Sequence, residues 1–296
     1  MNRKRNILAT ILTTALIFTI LAGCAPTKNS GDSKSGDKKS EIRTVKVVAK
    51  TAAQPYQFFD DKNKFTGYNG EILKEISKKL KNKYRFEYYT VDPDAVFVGL
   101  QTGKYDVAVG NYYTSEERNK TFEHSNNLTF LSDLRLIVRK NDNSIKSLDD
   151  IAGSNKKLAQ IDVADPRYNI IEDYNKKHPN KKIALKGTGF ENTADVLKSV
   201  ANGQNDAAIY PLDGYDAVQK EAKLPLKTVQ TVGIYPVAYY YHKSDEDKQL
   251  RDDIDNVLAD LRKDGTLSKL SKKWFNRDPF SLQGADEITN VDFWKK

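Results

Sequence analysis

Residues 100–113, LQTGKYDVAVGNYY, and residues 200–213, VANGQNDAAIYPLD, follow one plan about a hundred positions apart. Each runs from a helix end through Gly-x-x-Asp into a short apolar strand with a central alanine, then into a polar turn. A helix–strand unit used twice confines the chain to two similar α/β halves, and a separate sheet is expected in each. The two glycines read as the residues that close helices, and Asp106 and Asp206 as caps of strand starts. Neither aspartate is assigned a function.

The remainder keeps the same rhythm. Residues 44–49 (TVKVVA) read as a strand, and Ile72, Leu73, Ile76 and Leu80 lie at helical spacing among lysines and glutamates. Asp92-Pro93 looks like an N-cap followed by proline at the first helical position, opening a helix through Leu100 that stops at Gly103. Asp165-Pro166 repeats that device, and Ser147 with Asp150 and Asn192 with Asp195 have capping-box spacing. Leu250, Ile254, Val257, Leu258 and Leu261 share one face of a helix ending near Gly265, and a shorter helix runs to Trp274. The chain's 16 tyrosines concentrate in YYTV, GNYY and VAYYYH. The last reads as a buried strand, whereas Tyr112 and Tyr113 flank a strand end and lean toward a cleft.

The N-terminus is of another kind. Arg3, Lys4 and Arg5 precede an uncharged apolar run over residues 7–22, shorter than the roughly 20 residues a spanning helix needs, so it reads as an export signal. Cys24 is the sole cysteine, which rules out an internal disulfide framework. Residues 25–40 are small, polar or charged and cannot bury enough apolar area to order themselves, so they read as a flexible tether. The net charge of +8 falls to about +5 without the signal and is spread over lysines on many segments. With no compact arginine-rich patch, no nucleic-acid partner is expected. His124, His178 and His242 are isolated, without metal-ligand spacing or a serine or cysteine partner, so no metal or cofactor is expected.

In open α/β sheets, ligands gather at the carboxyl ends of strands, and the turn after residues 106–109 is such a place. Thr114 and Glu117 have capping-box spacing, so a helix is expected to begin at Ser115. Arg118 then lies in its first turn, where a cation is unfavourable without an anionic partner. Glu116 and Glu117 are adjacent in sequence and share its helical face poorly. A ligand carboxylate would match the guanidinium's fork of donors better. On residue types alone, a surface arginine and a ligand-gripping one both stay open.

Longer stretches bear on that choice. Leu21-Ala22-Gly23-Cys24 resembles the bacterial lipoprotein box, which implies a diacylated Cys24 as the mature N-terminus and a stable anchor on the outer face of the cell membrane. Residues 55–80, 100–118, 134–153 and 258–275 resemble, in order and spacing, the solute-binding proteins of polar amino-acid ABC transporters. The likeness runs from Val45 to Phe275. It implies a two-lobed, periplasmic-binding-protein-like α/β fold with two chain crossings and a ligand cleft between the lobes. The domains expected are a signal (1–23), a tether (24–43), a first lobe (44–133 and 235–296) and a second lobe (134–234). The implied function is binding without chemistry: a monomer captures an amino acid or a derivative, cystine among them, and hands it to an ABC permease driven by its ATPase.

Carried over residue by residue, the family's carboxylate clamp falls on Arg118, and Gly110 and Asn111 fall where the amino-acid head group is held. Tyr113 replaces the usual serine or threonine, and Ser115 a threonine. In the second lobe Pro211 stands where the ammonium-binding aspartate is expected, leaving Asp213, Asp162 or Asp165 to substitute. Residues 160–166 (QIDVADP) replace the usual Gly-Thr turn. Lys50 and Ala53 occupy places where an acid and a stacking aromatic are common, and Tyr56, Tyr112 or Tyr210 would supply the ring. Two alternatives use the same fold. A dehydratase of cyclohexadienyl acids would need Glu116, Glu117 or Asp213 as a general acid, and an adhesin or sensor partner would need no small ligand.

Overall fold

The computed structural model describes residues 41–51, 53–161, 163, 165–184 and 193–288; the export signal, Cys24, Asp162 and Asn192 lie outside them. In chain order the elements are β1 (Arg43–Lys50), β2 (Phe58–Phe59), β3 (Phe65–Thr66), α1 (Tyr68–Leu80), β4 (Tyr84–Val91), α2 (Pro93–Gln101), β5 (Val107–Tyr113), α3 (Glu116–Thr121), β6 (Glu123–His124) and β7 (Phe130–Arg139). After a 3-10 turn at Leu148–Asp150 come α4 (Pro166–Lys177), α5 (Thr193–Ala201), β8 (Ala207–Pro211), α6 (Leu212–Ala222), β9 (Leu226–Tyr241), α7 (Asp245–Lys263) and α8 (Thr266–Phe275).

The separate sheets do not form. One seven-stranded sheet runs β4-β1-β5-β9-β7-β8, with β6 also on β9. The reason is length: β7 has 10 residues and β9 has 16, and they pair from Phe130↔Val237 to Arg139↔Leu226. Breaking that ladder midway would strand backbone donors and acceptors among apolar side chains. The pairing is irregular at its middle, with register shifts between Leu134 and Arg135 and between Leu136 and Ile137, where Gly233 stands opposite Leu134.

The internal repeat is physical as well as textual. β5 is parallel to β1 and antiparallel to β9; β8 is antiparallel to β7 and parallel to an isolated bridge at Leu158. Asp106 accepts the Lys46 N–H at 2.6 Å and pairs with Arg43 at 2.8 Å. Asp206 accepts the Lys157 N–H at 2.8 Å and pairs with Arg139 at 2.8 Å. Each aspartate thus ties its own strand start to the neighbouring strand and to one arginine. Gly103 and Gly203 both sit at positive φ, +70° and +81°, and close α2 and α5 as expected.

Packing follows the periodicities. The α7 stripe from Leu250 to Leu261 is buried, and each such side chain contributes about 1.5–3 kcal/mol. Asp255, buried beside it, accepts the N–H groups of Asn126 (2.8 Å) and Asn127 (3.1 Å), fixing α7 to the loop before β7. Tyr239, Tyr240 and Tyr241 are fully buried in β9. At the start of α1, the N–H groups of Tyr68 and Asn69 donate to the carbonyls of Pro55 (3.1 Å) and Tyr56 (2.8 Å). Main chain therefore caps this helix and pins the segment that carries Tyr56. The approach requires Gly67, at φ +94°, because a Cβ there would lie 2.7 Å from the Tyr56 carbonyl oxygen. No helix among the described residues is long and apolar enough to cross a membrane.

Candidate ligand-binding site

A cavity of about 640 Å³ opens where β1, β5 and β8 end, a size usual for small-molecule sites. Lys50, Tyr56, Asn111 and Tyr113 line one side; Asp165, Arg167 and Tyr210 line the other. The β5–β9 ladder shifts register between Ala108 and Tyr112, which takes Asn111 out of regular pairing. The Asn111 amide donates to the Tyr56 hydroxyl at 3.2 Å, while its Oδ1 is buried without a hydrogen-bond partner among the described residues. An unpartnered buried acceptor costs about 1–3 kcal/mol, which a ligand N–H would recover. Tyr113 is nearly buried, and its hydroxyl and that of Ser132 share a hydrogen bond of 2.9 Å. Burial raises the Tyr113 phenol well above its ordinary pKa, so it is a neutral hydrogen-bonding group.

Across the cavity, the N-terminus of α4 builds a charged corner. Asp165 caps the helix by accepting the Arg167 N–H at 2.9 Å, as Asp165-Pro166 predicts. The Arg167 side chain grips the same carboxylate, Nε to Oδ1 at 2.9 Å and Nη2 to Oδ2 at 2.7 Å. Its guanidinium also donates to the Ile209 carbonyl at 3.3 Å and lies 5.6 Å from the Tyr210 ring centre. Burial pushes the Asp165 carboxyl up, but the hydrogen bonds and charge of Arg167 outweigh it and hold it below the usual range. Arg167 is the residue that sequence reasoning missed. The signal was present: like Arg118, it is a cation in a helix's first turn, where the dipole demands an anion.

Lys50, the last residue of β1, sits half-buried in the same cavity, facing this corner. Burial lowers the pKa of its ammonium, the nearby Arg167 lowers it further, and Asp165 offsets part of this.

Four of the anticipated residues stand off the cavity wall. Arg118 donates to the Tyr113 carbonyl at 3.2 Å and lies 4.9 Å from the Phe97 ring centre, and its charge reaches Asp165. Its helix begins one residue later than the spacing predicts. Ser115, not Thr114, is the N-cap and accepts the Arg118 N–H at 3.3 Å, because β5 extends through Tyr113 and buries Thr114. Tyr112 packs on Phe97 at 5.0 Å within a core of Val96, Phe122 and Tyr240. Gly110 is glycine for Tyr112's sake, since a Cβ would lie 2.7 Å from that ring. Asp213, in the first turn of α6, is 3% exposed and has one carboxylate oxygen without a hydrogen-bond partner. Asp162 and Cys24 lie outside the described residues. Among those described, no group of three or more His, Cys, Asp or Glu residues is arranged to hold a metal.

Burial pushes the Asp213 carboxyl up to about 6 from 3.8, opposed by the charge of Arg277. A raised carboxyl contributes stability below its unfolded pKa and loses it as pH rises through the folded value. The loss therefore falls between about pH 4 and 6 and amounts to about 3 kcal/mol. Asp213→Asn is expected to raise stability by up to that amount at pH 7.5 and to leave it level at pH 4, measured by urea unfolding at both. An equal effect at the two pH values would contradict the titration of Asp213.

Known proteins carry the same architecture. The probable amino-acid-binding protein YxeM of Bacillus subtilis is 30% identical over 270 residues, covering 91% of this chain and 95% of that protein. The L-cystine-binding protein TcyK of the same organism is 28% identical over 263 residues, covering 88% and 93%. Among solved structures, the probable amino-acid ABC transporter extracellular-binding protein ytmK of Bacillus subtilis superposes with a TM-score of 0.66 at 27% identity, covering 79% of this chain and 98% of that one. These relatives are named for binding rather than for catalysis. A family description matches residues 45–277, from β1 to the end of the last long helix, and so takes in every described residue of the cavity wall. The chain belongs to the bacterial extracellular solute-binding proteins, family 3.

Proposed function

We propose that the protein captures an amino acid or amino-acid derivative, cystine among the candidates, and delivers it to an ABC permease powered by its ATPase. The observation that carries this is the Oδ1 of Asn111, without a hydrogen-bond partner among the described residues, on a cavity lined by Arg167 and with Arg118 held behind it on the Tyr113 carbonyl. An amino acid offers what that arrangement lacks: a carboxylate for the arginines and an N–H donor for Asn111. Arg118 takes the carboxylate by swinging from the Tyr113 carbonyl, with Tyr113 and Tyr56 closing over the head group and Tyr210 beneath the side chain. Asp213, two residues beyond Pro211, and Asp162 are the acids offered to the ammonium group.

The two lobes, 44–133 with 235–296 and 134–234, turn on β7 and β9. Support comes from register: the boundary residues Asp133 and Ile234 pair with each other, beside the irregular stretch of the ladder. Closure excludes water and strengthens the charged contacts. A diacylated Cys24 and the tether after it hold this monomer at the outer face of the membrane beside its permease.

A thermal-shift screen of amino acids, disulfide-linked dimers and opines tests the proposal. A true ligand adds about 1.4 kcal/mol of stability for each tenfold excess over its dissociation constant. Stabilisation by at least one such compound is expected, and a flat response to all of them at millimolar concentration would reject it.

A further inference from the structure

Lys50 is a cation on the cavity wall whose side chain holds no partner among the described residues. Among the described residues its ammonium makes no hydrogen bond and no ion pair. Among the described residues, Asp165 is the carboxylate whose charge favours its ammonium, and Arg167 already occupies both oxygens of that carboxylate. Glu221, the other described acid lining the cavity, is exposed and screened by water. Among the described residues, the charges of Lys50, Arg167 and Arg118 therefore fall on a single engaged carboxylate, which leaves the cavity a surplus of positive charge.

A surface lysine normally lays its stem on apolar atoms and keeps its ammonium in water. Lys50 does not: it is half-buried, and burial together with Arg167 disfavours its charged form. A neutral ligand end placed there would remove more water without balancing the charge. An anionic end would balance it. About 640 Å³ leaves room for such a group beyond an amino-acid head.

We infer that Lys50 receives a second carboxylate at the far end of the ligand, so that the substrate is a net-anionic amino-acid derivative rather than a neutral amino acid. The inference rests on the cavity being an amino-acid site, and the experiment separates the two. Calorimetry compares L-glutamate with L-glutamine and S-carboxymethyl-L-cysteine with S-carbamoylmethyl-L-cysteine, each pair differing by one carboxylate. In at least one pair the acid is expected to bind at least tenfold tighter than its amide, about 1.4 kcal/mol. Lys50→Met and Lys50→Gln are expected to shrink that ratio below threefold, and Lys50→Arg to keep it.

An amide that binds as tightly as its acid overturns the second carboxylate and leaves the amino-acid site standing. Equal losses for acid and amide in the neutral variants overturn the role of Lys50. Silence from all four compounds also overturns the inference. The amino-acid site then survives only if the broader screen finds another ligand.

Discussion

Arg118→Ala is expected to raise the dissociation constant of the true ligand at least about 30-fold and to abolish its stabilising effect at concentrations that just saturate the wild type. Within the fold Arg118 is lightly used. One side-chain hydrogen bond to the Tyr113 carbonyl at 3.2 Å, one ring contact with Phe97 and a longer-range attraction to Asp165 are what the described residues give it. Their loss costs the fold no more than about 2 kcal/mol. A two-pronged, charge-assisted contact with a carboxylate in a closed cleft is worth more. Truncating one partner of such a pair costs about 2–5 kcal/mol, or roughly 30- to 4,000-fold in affinity. Titration calorimetry on the folded variant reads the difference directly, and unchanged affinity would remove Arg118 from the site.

Arg167→Met acts on the fold itself. It strands the Asp165 carboxylate, which is 24% exposed, and deprives the Ile209 carbonyl of a donor. Breaking a buried pair from one side costs about 3–5 kcal/mol; partial opening to the cavity reduces this to about 2–4 kcal/mol. Asp165→Asn in the same chain is expected to recover a good part, because the uncompensated charge does most of the harm. The pH dependence has a definite sign. Asp165 is held below 3.8 in the native protein, so the pair's contribution is present above that value and is lost as pH falls through the folded pKa. The gap between wild type and variant should therefore narrow in acid. A single-variant loss below about 1 kcal/mol near neutral pH would mean that water already screens the pair.

How far the sequence could be read depended on the range of the forces involved. The α7 stripe, the Asp165-Pro166 cap and the repeated Gly-x-x-Asp turns are local patterns, and each formed as expected. Tyr113 lines the cavity, as its place at a strand end suggests, and Tyr56, Asn111 and Tyr210, named from the family resemblance, line it as well. The continuous sheet was not legible. Its ladder joins residues 130–139 to residues 226–241, and LKTVQTVGIY at the start of β9 carries little apolar signal. Asp213 turned inward because α6 follows β8 without a linker, which sets a helical phase that residue types alone do not fix. Arg167 was overlooked because its anion lies two positions back in sequence and serves as a helix cap as well.

The most direct test is a crystal structure with the tightest ligand from the screen. A ligand carboxylate is predicted within about 3.2 Å of the Arg118 guanidinium, with Asn111 Oδ1 accepting an N–H from the ligand. Arg118 still resting on the Tyr113 carbonyl and Phe97, with the ligand carboxylate held by other groups, would contradict the account.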